Sequence, residues 1–466
     1  MKKFLLIGAA SLMVSNSTFA GDYLTNTNQS AAFLRMLARG ASIDVDGVYS
    51  NPAGLSFLEK DGFYLSFTGQ SAFQTRTIQA TTPLWTFDPK NPAASMTSPT
   101  TKEFEGKASA PIIPSFQGLY KKGDWTISAN FAITGGGGKA SFDQGLPLFN
   151  SLINGMILNP QIPYYKSKIN PNMYDINSAM DGKQYIFGLQ LGLSYKITDW
   201  LSVYAGGRMN YFTGGYEGFL NASLHPEYLN RTDLFPNMKP GFDGTLADIS
   251  LKCDQSGWGI APILGADFKF GKFNIGMKYE FMTSLNIENK TGEMKVMPKL
   301  IESQLGDYKE GVNTPSDIPA MLSAAVGYEI LPMWRATVEY HYFDDKNAGM
   351  AKDRQNELTH GTHEILFGTE VDITKSTTLS AGFQNTDYGL SNNFQTDTSF
   401  SCDSYSIGLG ARVDLTKGWS MDIAYFWTNY KDYEKKSESY NGTGMPGTDV
   451  YSRSNKVFGL SLNYQF

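Results

Sequence analysis

"NKVFGLSLNYQF" (residues 455–466) closes the chain in strict alternation. Phe458, Leu460, Leu462, Tyr464 and Phe466 fall on one side, and Gly459, Ser461, Asn463 and Gln465 on the other. A period of two belongs to a β-strand with one apolar and one polar or small face. The same pattern recurs in YIFGLQLGLSY (185–195), FNIGMKYEF (273–281) and WSMDIAYFW (419–427). Each run is long enough to cross a bilayer as a tilted strand, which takes about 9–11 residues. Fourteen runs are predicted: 61–74, 112–121, 124–133, 184–197, 200–212, 257–270, 272–283, 320–331, 333–343, 361–373, 377–386, 404–415, 418–430 and 454–466. The number is even, as in single-chain bacterial outer-membrane barrels. The gaps alternate between tight turns (KGD, TD, TKS, TK) and long excursions such as 134–183 and 213–256. That order predicts an all-β, antiparallel transmembrane barrel with both termini on the periplasmic side. A bilayer offers no water to an unpaired strand edge, so the sheet must close.

The opening residues MKKFLLIGAASLMVSNSTFA have two lysines, an apolar run from Phe4 to Val14 and a small-residue end at Ala20. They predict a signal peptide over residues 1–20, followed by an N-terminal plug at 21–60 and the barrel at 61–466. Charged residues are only 18%, aromatics reach 14%, and there are 47 Gly, a composition that is not that of a disordered chain. A net charge of −6 argues against a nucleic-acid partner. Cys253 and Cys402 are compatible with one disulfide or with two thiols.

Little in the sequence carries reaction chemistry. Gly135–Gly138 lacks the strand–loop–helix context of a phosphate loop and reads as a flexible exit from the third strand. His360 and His363 have no Glu between them and no helix beneath them, so no metal site is predicted. His341 beside Glu339, and His225, have no nucleophile context; no catalytic residue, enzyme activity or cofactor is expected. Arg208 and Lys278 lie mid-strand on polar faces, where they could hold a ligand carboxylate or be neutralised by acids such as Asp44 and Asp46. In GLPLFNSLINGMILNP (145–160), Leu148, Phe149, Leu152, Ile153 and Met156 recur at helical spacing. An apolar helix in a loop facing water either binds ligand or packs on neighbouring loops.

SAAFLRMLARGASIDVDGVYSNPAGLSFL (30–58), with its Asn51-Pro52-Ala53-Gly54 corner, resembles the hatch of FadL-type outer-membrane transporters of long-chain fatty acids. So do 257–286, 314–343 and 363–386, and the resemblance spans most of the chain. It implies a fourteen-stranded barrel plugged by the N-terminal segment, monomeric, delivered by the outer-membrane assembly machinery and surrounded by lipid and lipopolysaccharide. It implies capture of fatty acids or other hydrophobic molecules in a loop groove, which favours the binding reading of the 148–156 helix. It also implies an inner pocket at Tyr23 and Leu24, and sideways release through a kink in the third strand next to the Asn-Pro-Ala corner. The rival readings are a general diffusion porin, which needs no plug, and a surface adhesin on a barrel scaffold.

Overall fold

The computed structural model describes residues 25–88, 90–158, 171–229, 231 and 243–466. The predicted leader, Tyr23 and Leu24 lie outside the described residues. All described strands form one antiparallel sheet: β1 (Gly62–Thr82), β2 (Thr100–Lys122), β3 (Trp125–Phe142), β4 (Tyr174–Thr198), β5 (Leu201–Leu224), β6 (Thr245–Phe270), β7 (Phe273–Glu280), β8 (Asn286–Met297), β9 (Asn313–Pro315), β10 (Met321–Leu331), β11 (Trp334–Phe343), β12 (Thr362–Thr374), β13 (Thr377–Asp387), β14 (Ser404–Thr416), β15 (Trp419–Tyr430), β16 (Tyr433–Ser437) and β17 (Gly447–Gln465). β1 pairs with β17 from Tyr64↔Gln465 to Thr81↔Thr448, which closes the sheet. β8, β9 and β16 only widen its rim, so the wall has fourteen strands.

Two-residue turns join β2 to β3, β4 to β5, β6 to β7, β10 to β11, β12 to β13 and β14 to β15, all at one end. The Phe63 amide donates to the Phe466 carbonyl at the same end (2.9 Å). Rings line this rim: Trp125 stacks near Tyr195 (4.3 Å) and Trp419 on Tyr464 (4.4 Å), the aromatic girdle of a membrane barrel. On β4, Leu189, Leu191 and Leu193 are 46%, 56% and 40% exposed, whereas Gln190 and Ser194 on the opposite face are 1% and 0% exposed. The apolar face therefore points outward to lipid and the polar face inward.

All fourteen predicted runs fall on wall strands, but several strands are much longer. β6 has 26 residues and β4 has 25. Beyond the hydrocarbon the apolar face changes side: in the outer half of β6, Ala247, Ile249 and Cys253 are buried and alternate with Asp248, Ser250 and Lys252, whereas lower on the strand Trp258 and Ile260 are exposed to lipid, so the predicted runs stop short of the outer halves.

Within the barrel lie α1 (Ala31–Arg35), α2 (Gly47–Ser50) and a 3₁₀ turn at Pro52–Phe57. The Ser30 hydroxyl caps α1 by accepting from Phe33 N–H (3.1 Å). Leu34, Leu37 and Ala38 are fully buried against Leu366, Ala424 and Val457 of the wall. The fit depends on inward glycines: a Cβ at Gly276 would strike the Gly40 carbonyl. The plug is thus the core that the barrel packs around.

Candidate functional site: a gap in the wall and the segment behind it

β2 and β3 pair from Lys122↔Trp125 to Phe116↔Phe131 and again from Ser109↔Lys139 to Lys107↔Ser141. Between these blocks, residues 110–115 and 132–138 do not pair with each other. The local sequence accounts for the break. Pro111 and Pro114 bring no amide hydrogen to β2. On β3, bulges at Ile133/Gly135 and Gly136/Gly138 bend the strand while it follows β4. Gly136 has φ +71°, and a Cβ there would meet the Gln184 carbonyl. Ile112, 75% exposed, and Phe131, 40% exposed, flank the opening on its lipid side.

Gly135–Gly138 is therefore not an exit from the third strand but the bend inside it. The alternation of Trp125 to Ile133 gave no hint, because the bend follows that run.

The plug's first residues stand behind the gap. Asn26 N–H donates to the Thr134 carbonyl (2.7 Å) and its side-chain amide to the Ile133 carbonyl (3.3 Å), meeting carbonyls that β2 leaves unpaired. Gln29 accepts at its backbone carbonyl from Ser115 Oγ (2.7 Å) and at Oε1 from Asn130 Nδ2 (3.0 Å). Asn28 and Gln70 exchange two amide bonds (2.7 and 3.1 Å). All of these contacts are neutral.

The Asn-Pro-Ala corner lies elsewhere. Expected beside the opening, it is seated nearer the turn end on β4–β7. Asn51 Nδ2 donates to Asp267 (2.6 Å), and Asn51 Oδ1 accepts from Gly54 N–H (3.3 Å). The Pro52 carbonyl accepts from Ser194 (2.6 Å) and that of Ala53 from Ser202 (2.7 Å). A proline corner leaves carbonyls pointing outward, and inward serines of the wall satisfy them.

Ions hold the rest of the plug. Arg35 donates to Glu370 (2.5 Å), Asp422 (2.8 Å) and Ser380 (2.8 Å). Arg39 clasps Asp46 through both carboxylate oxygens (2.7 Å each), and Arg412 pairs with Asp44. Asp44 and Asp46 thus answer these arginines rather than Arg208 or Lys278. Arg208 bonds Glu280 (2.5 Å) and Gln190 (2.6 Å), and Lys278 donates to the Tyr49 carbonyl (2.8 Å) beneath the Tyr49 ring.

At the other end lie the short helix α3 (Pro92–Thr97) and the longer α4 (Pro147–Leu158). Leu148, Leu152, Ile153 and Met156 are buried among loop residues such as Trp85, Phe400 and Tyr440, with Phe149 packed beside them. Leu148 and Phe149 also form one wall of an apolar cleft completed by Phe219, Leu251 and Tyr308. The helix therefore both packs and lines a groove. Between groove and plug lies a polar cavity of about 250 Å³ whose lining includes Asn26, Gln70, Gln384, Thr428 and the cross-strand neighbours Arg76 and Arg453.

Other sequence features are accounted for structurally. Cys253 and Cys402 are buried thiols, not a disulfide. His341 is held between Glu339 (2.7 Å) and Glu364 (2.9 Å), and His363 bonds Tyr340 (2.7 Å). Among the described residues no group of His, Cys, Asp or Glu is arranged to hold a metal ion. A wall opening at the third strand was implied by the resemblance alone; the reading of the residues themselves found neither it nor Asn26, Gln29, Ser115 and Asn130, and the available signals were two prolines and a glycine run within adjoining strands.

No family model and no curated protein matches the chain. Solved structures do. A Pseudomonas aeruginosa FadL homologue aligns with TM-score 0.62 at 16% identity, over 95% of this chain and 99% of its own. The toluene transporter TbuX of Ralstonia pickettii aligns with TM-score 0.55 at 13% identity, over 96% and 99%. A TodX deltaS2S3 mutant, titled a monoaromatic hydrocarbon channel, aligns with TM-score 0.55 at 14% identity, over 94% and 99%. These neighbours are transport channels, not enzymes. At such identities the likeness is one of fold, and this chain is a plugged, fourteen-stranded barrel of the FadL-type fold.

Proposed function

We propose that the chain is an outer-membrane uptake channel for hydrophobic small molecules, with long-chain fatty acids as the cargo that fits best. The observation that carries this reading is the broken β2–β3 ladder backed by residues 26–29. A pore for polar solutes has no use for an opening toward lipid. An acyl chain does, because each buried CH₂ is worth about 0.8 kcal/mol, which favours moving sideways into the bilayer over passage through water. The groove at Leu148, Phe149 and Phe219 captures the acyl chain, and the polar cavity with Arg76 and Arg453 receives the carboxylate. That polar lining favours an amphiphile over a bare hydrocarbon such as toluene. Withdrawal of residues 25–30 then opens the wall, while the turns and both termini face the periplasm.

The double variant Asn26→Cys/Thr134→Cys tests the reading, since these two backbones are hydrogen-bonded neighbours. Oxidation should abolish uptake of labelled oleate in cells lacking other routes, and reductant should restore it. Uptake indifferent to oxidation would overturn sideways release. Uptake of toluene but not oleate would overturn the cargo.

A further inference from the structure

Asp397, between β13 and β14, and Asp449, near the start of β17, are both buried. They lie beyond the lipid-facing band, whose outermost residue on β17 is Phe458. The Tyr451 hydroxyl is 3.1 Å from Asp397 Oδ1 and 3.3 Å from Asp449 Oδ2, and the Tyr440 hydroxyl donates to Asp449 Oδ1 (2.6 Å). A phenol has one proton to give. It donates to one of the two acids, so the second contact is a hydrogen bond only when that carboxyl supplies a proton of its own.

The other charged and titratable groups do not remove this need. Lys435 of β16 is the nearby cation, and its ammonium donates to the Gln395 carbonyl (2.6 Å). Arg354 is turned toward the carbonyls of Phe394 and Ser399 (2.8 and 2.9 Å). The Cys402 thiol donates to the Tyr451 carbonyl (3.4 Å). Among the described residues, the cation that bears on both carboxylates is Lys435, and a shared proton supplies the second positive charge. Burial pushes both acids up, Asp449 to about 7 with Asp397 adding to the rise.

The cluster also reaches the groove. Tyr440, whose hydroxyl is held by Asp449, is followed by Asn441, whose side chain donates to Ser151 Oγ of α4 (3.1 Å), and the Tyr440 ring shares one apolar cluster with Leu148 and Leu152 of that helix. Leu148 and Phe149 line the groove together with Thr398, the residue after Asp397.

We propose that Asp397 and Asp449, sharing a proton through Tyr451, are positioning residues for ligand capture: through Tyr440 and Asn441 they pin α4, set the groove, and loosen it when the proton leaves. This rests on the reading of the groove as the capture site. An acid that titrates higher when docked stabilises the docked arrangement at low pH. That stability is lost as pH rises from the ordinary carboxylate range of about 4 toward about 7, and stays lost above it.

The test uses the whole protein in mild detergent and a neutral fluorescent probe, N-phenylnaphthylamine, whose own charge does not change over the range. Probe affinity and ligand-free hydrogen exchange of α4, corrected for intrinsic rates, are followed between about pH 5 and about pH 8. In the unsubstituted protein affinity should fall roughly five- to tenfold as α4 exchange speeds up. Asp449→Asn, whose carboxamide is neutral and can donate, should flatten both profiles near their low-pH values, and Asp397→Asn serves if that variant folds poorly. Tyr451→Phe should hold α4 in fast exchange throughout. Flat profiles in the unsubstituted protein, or an Asn variant that keeps the slope, would overturn the proposal. Exchange that follows pH while probe affinity stays flat upholds the pin and overturns the groove as capture site.

Discussion

The two ends of the plug are held by different chemistry. From Ala31 onward it is tied to β12–β15 by charge, with Arg35 buried on Glu370 and Asp422, and Arg412 half-buried on Asp44. Residues 26–29 are tied to β1, β2 and β3 by amides, hydroxyls and carbonyls. Removing one partner of a buried ion pair strands a charge at a cost of about 3–5 kcal/mol. A neutral hydrogen bond contributes about 0.5–1.5 kcal/mol, and water can replace it. The difference bears on the proposed release: on that reading the neutral front segment leaves the wall gap while the charged remainder stays anchored.

The contrast breaks most sharply at Arg35. Arg35→Met leaves Glu370 and Asp422 buried without it and should destabilise plug docking by about 3–5 kcal/mol. Planar-bilayer recordings should then show large, steady openings absent from the parent; a closed barrel in this variant would refute the charged anchor. Gly276→Ala forces a methyl against the Gly40 carbonyl and should cost about 1–3 kcal/mol. A lowered urea midpoint for plug release, with the barrel transition unchanged, would register it.

At the corner, Asn51→Ala removes the bond to Asp267 and the cap on the 3₁₀ turn, for about 1–2 kcal/mol. Barrel assembly, read by heat-modifiable gel migration, should be intact while oleate uptake falls; unchanged uptake would make the corner purely structural. Pro114→Ala should act in the opposite sense. It returns an amide to β2, stabilising the wall by about 0.5–1.5 kcal/mol, and should slow uptake as the gap narrows. Faster uptake in this variant would show that the break is not the exit.

How much was legible varies from element to element. Outward Leu189, Leu191 and Leu193 betrayed their strand because lipid requires an unbroken apolar face, and the same requirement revealed every wall strand. The outer half of β6 stands above the lipid, where its alternating Ala247, Ile249 and Cys253 are buried instead of lipid-exposed, so lipid-facing alternation does not reach it. Pro111, Pro114 and Gly135–Gly138 were visible as residues, yet only the pairing of β2 with β3 turned them into a single gap. Arg208 and Lys278 were rightly placed on inward faces, but nothing in one dimension showed that Glu280 and Tyr49 would meet them.

By itself, then, the sequence determined a closed antiparallel barrel, because period two, strand length and alternating connection lengths are local properties imposed by the bilayer. The tertiary structure alone decided where the wall opens, which residues stand behind the opening and which acids share a proton at the groove. Those depend on contacts such as Asn26 with Thr134 and Asp397 with Tyr451, 108 and 54 residues apart along the chain, which no local pattern encodes.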